Sequence, residues 1–184
     1  MDVRRSDARR NVDAILVAAR DALAEDPQTD LNVIATRAGV HRTTLYRHFP
    51  ARQDLLTRLY ASYLDDAEIV IRDADPLAED MLAEIADLTR RLYEVNLRWR
   101  AYAWAPGYSL EAQGRRTEMT KATFALFEAA EQRGVLRHDL SVRQILTTWG
   151  APILFLSSRI SEGSWTLDEV VEYTLLLLTP PPAV

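Results

Sequence analysis

Apolar positions recur every three or four residues along most of this chain, the period of helices with one buried face, and strand-like alternation is nearly absent. The spacing predicts a first helix from about Arg5 to Glu25, with Ile15, Ala18, Ala19, Ala22 and Leu23 on one side. Asp26-Pro27 ends it, because proline cannot continue the hydrogen-bond ladder. Asp30 is a good N-cap for a short helix from Leu31 to Ala38, whose apolar positions are Leu31, Ile34, Ala35 and Ala38. Gly39 stands where the chain must turn sharply, a place that favours a residue tolerating positive φ. A third short helix covers about Arg42 to Phe49 and stops at Pro50. Helix, three-residue turn with glycine, helix is the spacing of a helix-turn-helix unit.

Longer helices follow. One runs from about Arg52 to Ala74, through Leu55, Leu56, Leu59, Tyr63, Val70 and Ile71. Asp75 as cap and Pro76 at the first helical position predict a restart that reaches about Asn96. A short aromatic segment, Trp99 to Trp104, leads to Pro106-Gly107. Ser109 is placed to cap a helix to Arg133, which Gly134 terminates, and Ser141 starts another to about Ile160. Thr166 with Glu169 makes a capping box for a last helix to about Leu178, before three prolines. The pattern predicts an all-α chain of about nine helices in two groups, a helix-turn-helix domain over residues 1–50 and a larger helical domain over 51–184. The last two helices are apolar on more than one face, through Ile145, Leu146, Trp149, Ile153, Leu154, Phe155 and Leu156, then Val170, Val171, Leu175, Leu176, Leu177 and Leu178. A monomer cannot bury all of that surface, so a homodimer is expected to form there through four helices.

Composition narrows the classes. Hydrophobic residues make up 48% of the 184, enough to bury a core. The absence of cysteine excludes a disulfide scaffold, a thiolate nucleophile and Cys-ligated metal. The N-terminus has no apolar h-region, and the longest apolar run, Ile145 to Ser158, is interrupted by Gly150 and Pro152, so a cytoplasmic protein is expected. The net charge of −5 is unevenly placed: residues 1–58 hold ten arginines against eight acidic residues, and residues 59–184 hold the acidic excess of seven. A basic N-terminal part is therefore free to meet phosphate. No GxSxG, Walker loop or strand-borne GxGxxG is present. None of the three histidines has a glutamate three residues before it, as a di-metal carboxylate bundle requires. The chain is expected not to be an enzyme, and no cofactor or metal is expected.

The third helix carries the most specific signal. Leu45 and Phe49 are four apart and face inward, which turns Arg42, Thr43, Tyr46 and Arg47 outward. That face combines a bidentate donor suited to guanine, hydroxyl and methyl groups suited to bases, and phosphate-binding groups. Around it stand Ile34-Ala35, Ala38-Gly39-Val40, Thr44-Leu45-Tyr46-Arg47-His48-Phe49, Asp54 and Leu55-Leu56. Over residues 10–56 this run closely resembles the DNA-binding signature of TetR-type helix-turn-helix regulators. The resemblance implies that Arg42, Thr43 and Thr44 approach base edges. It places Tyr46 and His48 at phosphates, with Arg52 at another from the start of the fourth helix. The cluster Arg4, Arg5, Arg9 and Arg10 is a further candidate for backbone or minor-groove contact. Three departures stand out: His41, a poorer helix cap, replaces the usual serine and is a candidate phosphate contact; the loop Asp26 to Asp30 is shorter; and Leu23 stands where the family favours phenylalanine.

Beyond residue 56 only helix count and lengths match. The resemblance makes 51–184 an effector-binding and dimerisation domain, and it places Tyr93, Trp99, Tyr102, Trp104, Phe124, Phe127 and Trp149 in the helices that line the effector cavity. Thr120, Thr123, Asn96 and Tyr93 are candidates for its few polar groups. The expected function is a repressor that binds a palindromic operator as a dimer and is released by a small molecule. The alternatives are a helical ligand-binding protein or enzyme that carries a helix-turn-helix, and an activator or co-repressed regulator.

Overall fold

The computed structural model describes residues 3–99 and 110–180, and among them eight helices and no strand. The aromatic segment expected as a ninth piece lies outside the described residues, apart from Trp99. The first three helices are α1 (Val3–Glu25), α2 (Leu31–Arg37) and α3 (Arg42–His48). Asp30 caps α2, its carboxylate accepting from the Asn32 amide at 2.7 Å. Thr29 ties the preceding loop down, its hydroxyl directed at the carbonyls of Asp26 (2.7 Å) and Ala22 (3.1 Å). Gly39 turns the chain between α2 and α3 with φ of +66°, the left-handed region its position called for. Ile15, Ala19, Leu23, Ile34, Leu45 and Phe49 close on one another as the core of this unit.

Helix α4 (Arg52–Arg72) joins the two halves. Asp54 steadies its start by accepting from the Ala51 amide at 2.8 Å. Its early apolar residues Leu55 and Leu59 extend the first core, and Leu64, Ala67 and Val70 are buried further along. Helix α5 (Met81–Arg98) begins at Asp80, which caps it by accepting from the Ala83 amide at 2.9 Å. The expected restart at Asp75-Pro76 is corrected: Asp75 instead accepts from the Leu77 amide (2.8 Å) in a local turn, and Glu84 takes the Asp75 amide (2.9 Å). Such side-chain bonds compete with a helix. Leu77, with nothing to bury it, is 78% exposed.

Helices α6 (Leu110–Gln132), α7 (Val142–Ser161) and α8 (Leu167–Leu176) complete the bundle. A reciprocal capping box opens α8 (Thr166 with Glu169), and α7 opens with Gln144 accepting from the Ser141 amide at 2.9 Å. Pro152 lies inside α7 and has no N–H to give back to the preceding turn, so the helix lacks one rung there. Helix α8 ends before Leu178, which turns inward to full burial while its carbonyl accepts from the Arg137 amide at 2.9 Å. Helix α5 runs through the middle, in contact with α4, α7 and α8. Three buried polar bonds fix these contacts. The Tyr93 hydroxyl meets the Thr174 hydroxyl (2.9 Å), the Trp149 indole donates to Thr89 (2.9 Å), and the Asn96 amide donates to the Ile153 carbonyl (3.0 Å).

The packing on α5 takes up part of the apolar surface expected at a dimer seam. Ile145, Trp149, Ile153, Val170, Val171 and Leu178 are buried within one chain. Among the described side chains of α7 and α8, the large apolar ones left exposed are Phe155 (63%), Tyr173 (40%) and Leu176 (65%).

A candidate nucleic-acid face and a candidate ligand cavity

Helix α3 is amphipathic in the sense its spacing requires. Leu45 and Phe49 are buried against α1 and α2, Arg42, Thr43 and Arg47 are exposed, and Thr44, Tyr46 and His48 are half-buried. The Arg42 guanidinium lies 5.3 Å from the centre of the Tyr46 ring, a cation–π contact that steers it along the outward face. His41 does act as the cap: its Nδ1 accepts from the Thr43 amide at 3.4 Å and lies 2.9 Å from the Thr43 hydroxyl. The long amide distance fits a weak cap. His48 Nε2 is buried with no hydrogen-bond partner among the described residues. Arg9 and Arg10 are exposed, and Arg10 lies 3.5 Å from Asp7. The side chains of Arg4 and Arg5 fall outside the described ones.

Arg52 differs from the expectation of a phosphate contact. Its guanidinium donates to the carbonyls of Thr29 (2.5 Å) and Pro27 (2.6 Å), so it ties the start of α4 to the loop between α1 and α2. That short loop turns its carbonyls toward α4, and a guanidinium satisfies two of them at once.

In the second half, α4, α5, α6 and α7 border a partly open cavity of about 260 Å³. Tyr63, Ala67 and Ile71 face it from α4, and Leu92 and Asn96 from α5. Arg116, Met119, Thr120 and Thr123 come from α6, and Leu146, Trp149, Gly150 and Ile153 from α7. Of the aromatics expected at a ligand site, Trp149 lines this space, and so do the polar candidates Asn96, Thr120 and Thr123. Tyr93 and Phe127 are fully buried in the core instead. Tyr93 is held by Thr174, and burial pushes its phenol above the usual range although the hydrogen bond pulls the other way. Phe127 packs 4.9 Å from the Trp149 ring. Phe124 is on the surface, and Tyr102 and Trp104 lie outside the described residues. Trp99 is buried at the end of α5, where its indole donates to Asp66 at 2.8 Å and the Arg20 guanidinium lies 6.0 Å from its ring. It belongs to the seam between α1 and the bundle rather than to the cavity wall.

Tyr63 and Arg116 are polar lining residues that sequence reasoning passed over. Burial pushes the Tyr63 phenol up to about 12, with Tyr60 adding to the rise and Arg116 opposing it. Beyond Met119 and Thr123 lies a more charged hollow of about 470 Å³, where Arg115 is fixed to Glu68 (2.6 Å) and Asp65 (2.8 Å). Hydrogen bonding to Arg115 is what holds the Glu68 carboxyl below its ordinary range, against a smaller opposing effect of burial. No described helix is long and apolar enough to cross a membrane, and no cluster of metal-ligating side chains occurs among the described residues.

Comparison with known proteins gives the same outline. Residues 15–59 match the family model described as bacterial regulatory proteins, tetR family. The HTH-type transcriptional repressor LfrR of Mycolicibacterium smegmatis is 39% identical over 84 residues, which are 46% of this chain and 42% of that protein. The match therefore spans less than half of that relative. Three solved structures share the fold over most of both chains. CprB of S. coelicolor has a TM-score of 0.77 at 20% identity, covering 95% of this chain and 91% of its own. A regulator from Marinobacter aquaeolei has 0.71 at 18%, covering 97% and 99%. LfrR in complex with proflavine has 0.70 at 23%, covering 91% and 93%.

Proposed function

We propose that this chain, a TetR-type helix-turn-helix protein by its N-terminal domain and its fold, is a transcriptional repressor that binds a near-palindromic operator as a homodimer and is released by a small molecule. In this reading residues 1–50 bind DNA, and residues 51–184 bind the effector and dimerise. The observation that carries it is the α3 face, where Arg42, Thr43 and Arg47 stand exposed directly above the buried anchors Leu45 and Phe49. Arg42, Thr43 and Thr44 read base edges, while Arg47, Tyr46 and the Nδ1 side of His48, whose Nε2 is buried, hold phosphates. His41 starts the helix, and Arg52 sets the angle at which the unit leaves α4. Apolar residues left exposed on α7 and α8, with Leu176 and Tyr173 foremost, form the dimer seam that spaces two recognition helices. A protein that reads DNA in this way works in the cytoplasm of a bacterial cell.

Release follows from linkage. A ligand that favours the conformation with wrongly spaced recognition helices weakens operator binding by the same factor. Two routes join the cavity to α1. Helix α4 runs from Leu55 in the first core to Tyr63 and Ala67 in the cavity wall. At the end of α5, Trp99 is bonded to Asp66 of α4 and lies beneath Arg20 of α1. Electrophoretic shift on the DNA upstream of the chain's own coding sequence tests the proposal. A discrete complex at low protein concentration, surviving excess unrelated duplex, is expected. Equal retardation of unrelated DNA would leave only a helical ligand-binding protein that carries a helix-turn-helix.

A further inference from the structure

We infer that the effector has an apolar body of modest size and one anionic group, a carboxylate foremost, which Arg116 and Tyr63 hold at the mouth of the cavity. The inference rests on the reading of this cavity as the effector site and adds the ligand's chemistry. It comes from an account of which polar groups in the wall are already engaged. The Thr120 and Thr123 hydroxyls donate to carbonyls one turn back in their own helix, those of Arg116 (2.8 Å) and Met119 (2.7 Å). The Trp149 indole N–H is taken by Thr89, and the Asn96 amide donates to Ile153. Two donor groups remain without a hydrogen-bond partner among the described residues, the Tyr63 hydroxyl and the Arg116 guanidinium. Tyr63 keeps its proton across all ordinary pH because its phenol is pushed up to about 12 by burial.

The contrast between neighbouring arginines sharpens the point. Arg115 is clamped between Glu68 and Asp65, whereas Arg116, one residue on, makes no ion pair among the described residues. Among the described residues, no aspartate or glutamate lines the cavity. The two carboxylates that line the adjoining hollow are already balanced, Glu68 by Arg115 and Glu118 by Lys121. A cationic ligand would lose its hydration beside an unbalanced guanidinium and gain no counter-charge. An anion gains a charge-assisted bond from Arg116 and a second donor in Tyr63. The gradient of exposure sets the ligand's direction: Arg116 is open to solvent, while Trp149 and Ile153 at the other side are buried. The acid group therefore faces out and the apolar body lies against Trp149. At about 260 Å³ the space sits just under the roughly 300–1,000 Å³ of typical ligand pockets, which limits the body to a small one.

Two matched triads test this: 2-naphthoate, 2-naphthamide and 2-naphthylmethylammonium, and decanoate, decanamide and decylammonium. Each is titrated calorimetrically into the full chain, into Arg116→Gln and into Gly150→Leu. Gly150 lines the cavity in mid-helix, and a Cβ built there meets no atom within 4 Å, so leucine fills the space without displacing backbone. In at least one triad the acid should bind tenfold or more tighter than the amide, and the ammonium weakest. Arg116→Gln should bring the acid down to the amide, and Gly150→Leu should remove binding of all. An ammonium that binds as well as its acid, and is lost in Gly150→Leu, would overturn the anionic class while leaving the cavity as the effector site. Binding that Gly150→Leu leaves untouched would overturn the cavity reading itself, and the inference with it. Silence from both triads would overturn the acid class.

Discussion

In α1 to α3 the buried side chains close on one another and the polar groups that matter point outward, whereas in α4 to α8 the helices stand around a cavity with polar groups turned into it. The first unit presents a fixed outward surface. Its anchors, Ile34, Leu45 and Phe49, are all buried, and Arg42 is held by Tyr46 along its own helix. The second unit keeps an internal space that close packing would have filled, bounded by residues from four helices. Its buried polar bonds, such as that from Asn96 to the Ile153 carbonyl, join different helices of the wall and fix their spacing. On the proposed reading, the difference teaches that recognition of DNA is a property of one short helix, while recognition of the effector is a property of the packing.

The predictions probe that contrast in order of size. Phe127→Ala should cost about 3–5 kcal/mol of stability, because the ring is fully buried against Trp149. Thermal denaturation checks it, and near-normal melting would return Phe127 to the cavity wall. Leu178→Glu places an unpaired charge in the core and should abolish cooperative folding, whereas Leu176→Glu should leave helix content intact. By light scattering the Leu176→Glu protein should be monomeric, and a persisting dimer would move the seam off α8. Arg52→Ala should lower stability by about 1–3 kcal/mol through its two lost carbonyl partners. The salt dependence of operator binding should stay unchanged. A slope reduced by about one unit would make Arg52 a phosphate contact after all. Gly150→Ala should raise stability by about 0.5–1 kcal/mol, since glycine is a poor residue in mid-helix and its Cβ site is open. A loss in that variant would show that α7 needs its glycine beside Pro152.

The same contrast explains what could be read from the sequence. Asp30, Gly39 and the pair Leu45 and Phe49 act over four residues or fewer, so the helix-turn-helix, its caps and its outward face were all legible. The Thr166–Glu169 box opening α8 is equally local. The α5 start was misplaced because Asp75 has two local options, a helix cap or a turn, and Glu84 nine residues away decides between them. Cavity residues were harder. Tyr93, Phe127 and Trp149 look alike along the chain, and only the packing of α5 and α6 against α7 and α8 turns the first two into core and the third into wall. Arg116 carried no signal, because its lack of a carboxylate partner exists only once Glu68 and Asp65 have paired with Arg115. Arg52 fitted a family pattern, and its loop carbonyls appear only when α1 and α4 are folded together.

The most direct test of the account is selection of binding sites from randomised duplex DNA by the wild-type chain and by Arg42→Ala. Arg42 is exposed and its loss should not disturb folding. The wild type should enrich one near-palindromic sequence bound by two protomers. Arg42→Ala should lose preference at one base in each half-site and weaken binding to the wild-type sequence by about 1–3 kcal/mol. No enriched sequence from the wild type, or an identical sequence at unchanged affinity from Arg42→Ala, would contradict the assignment of α3 as the helix that reads DNA.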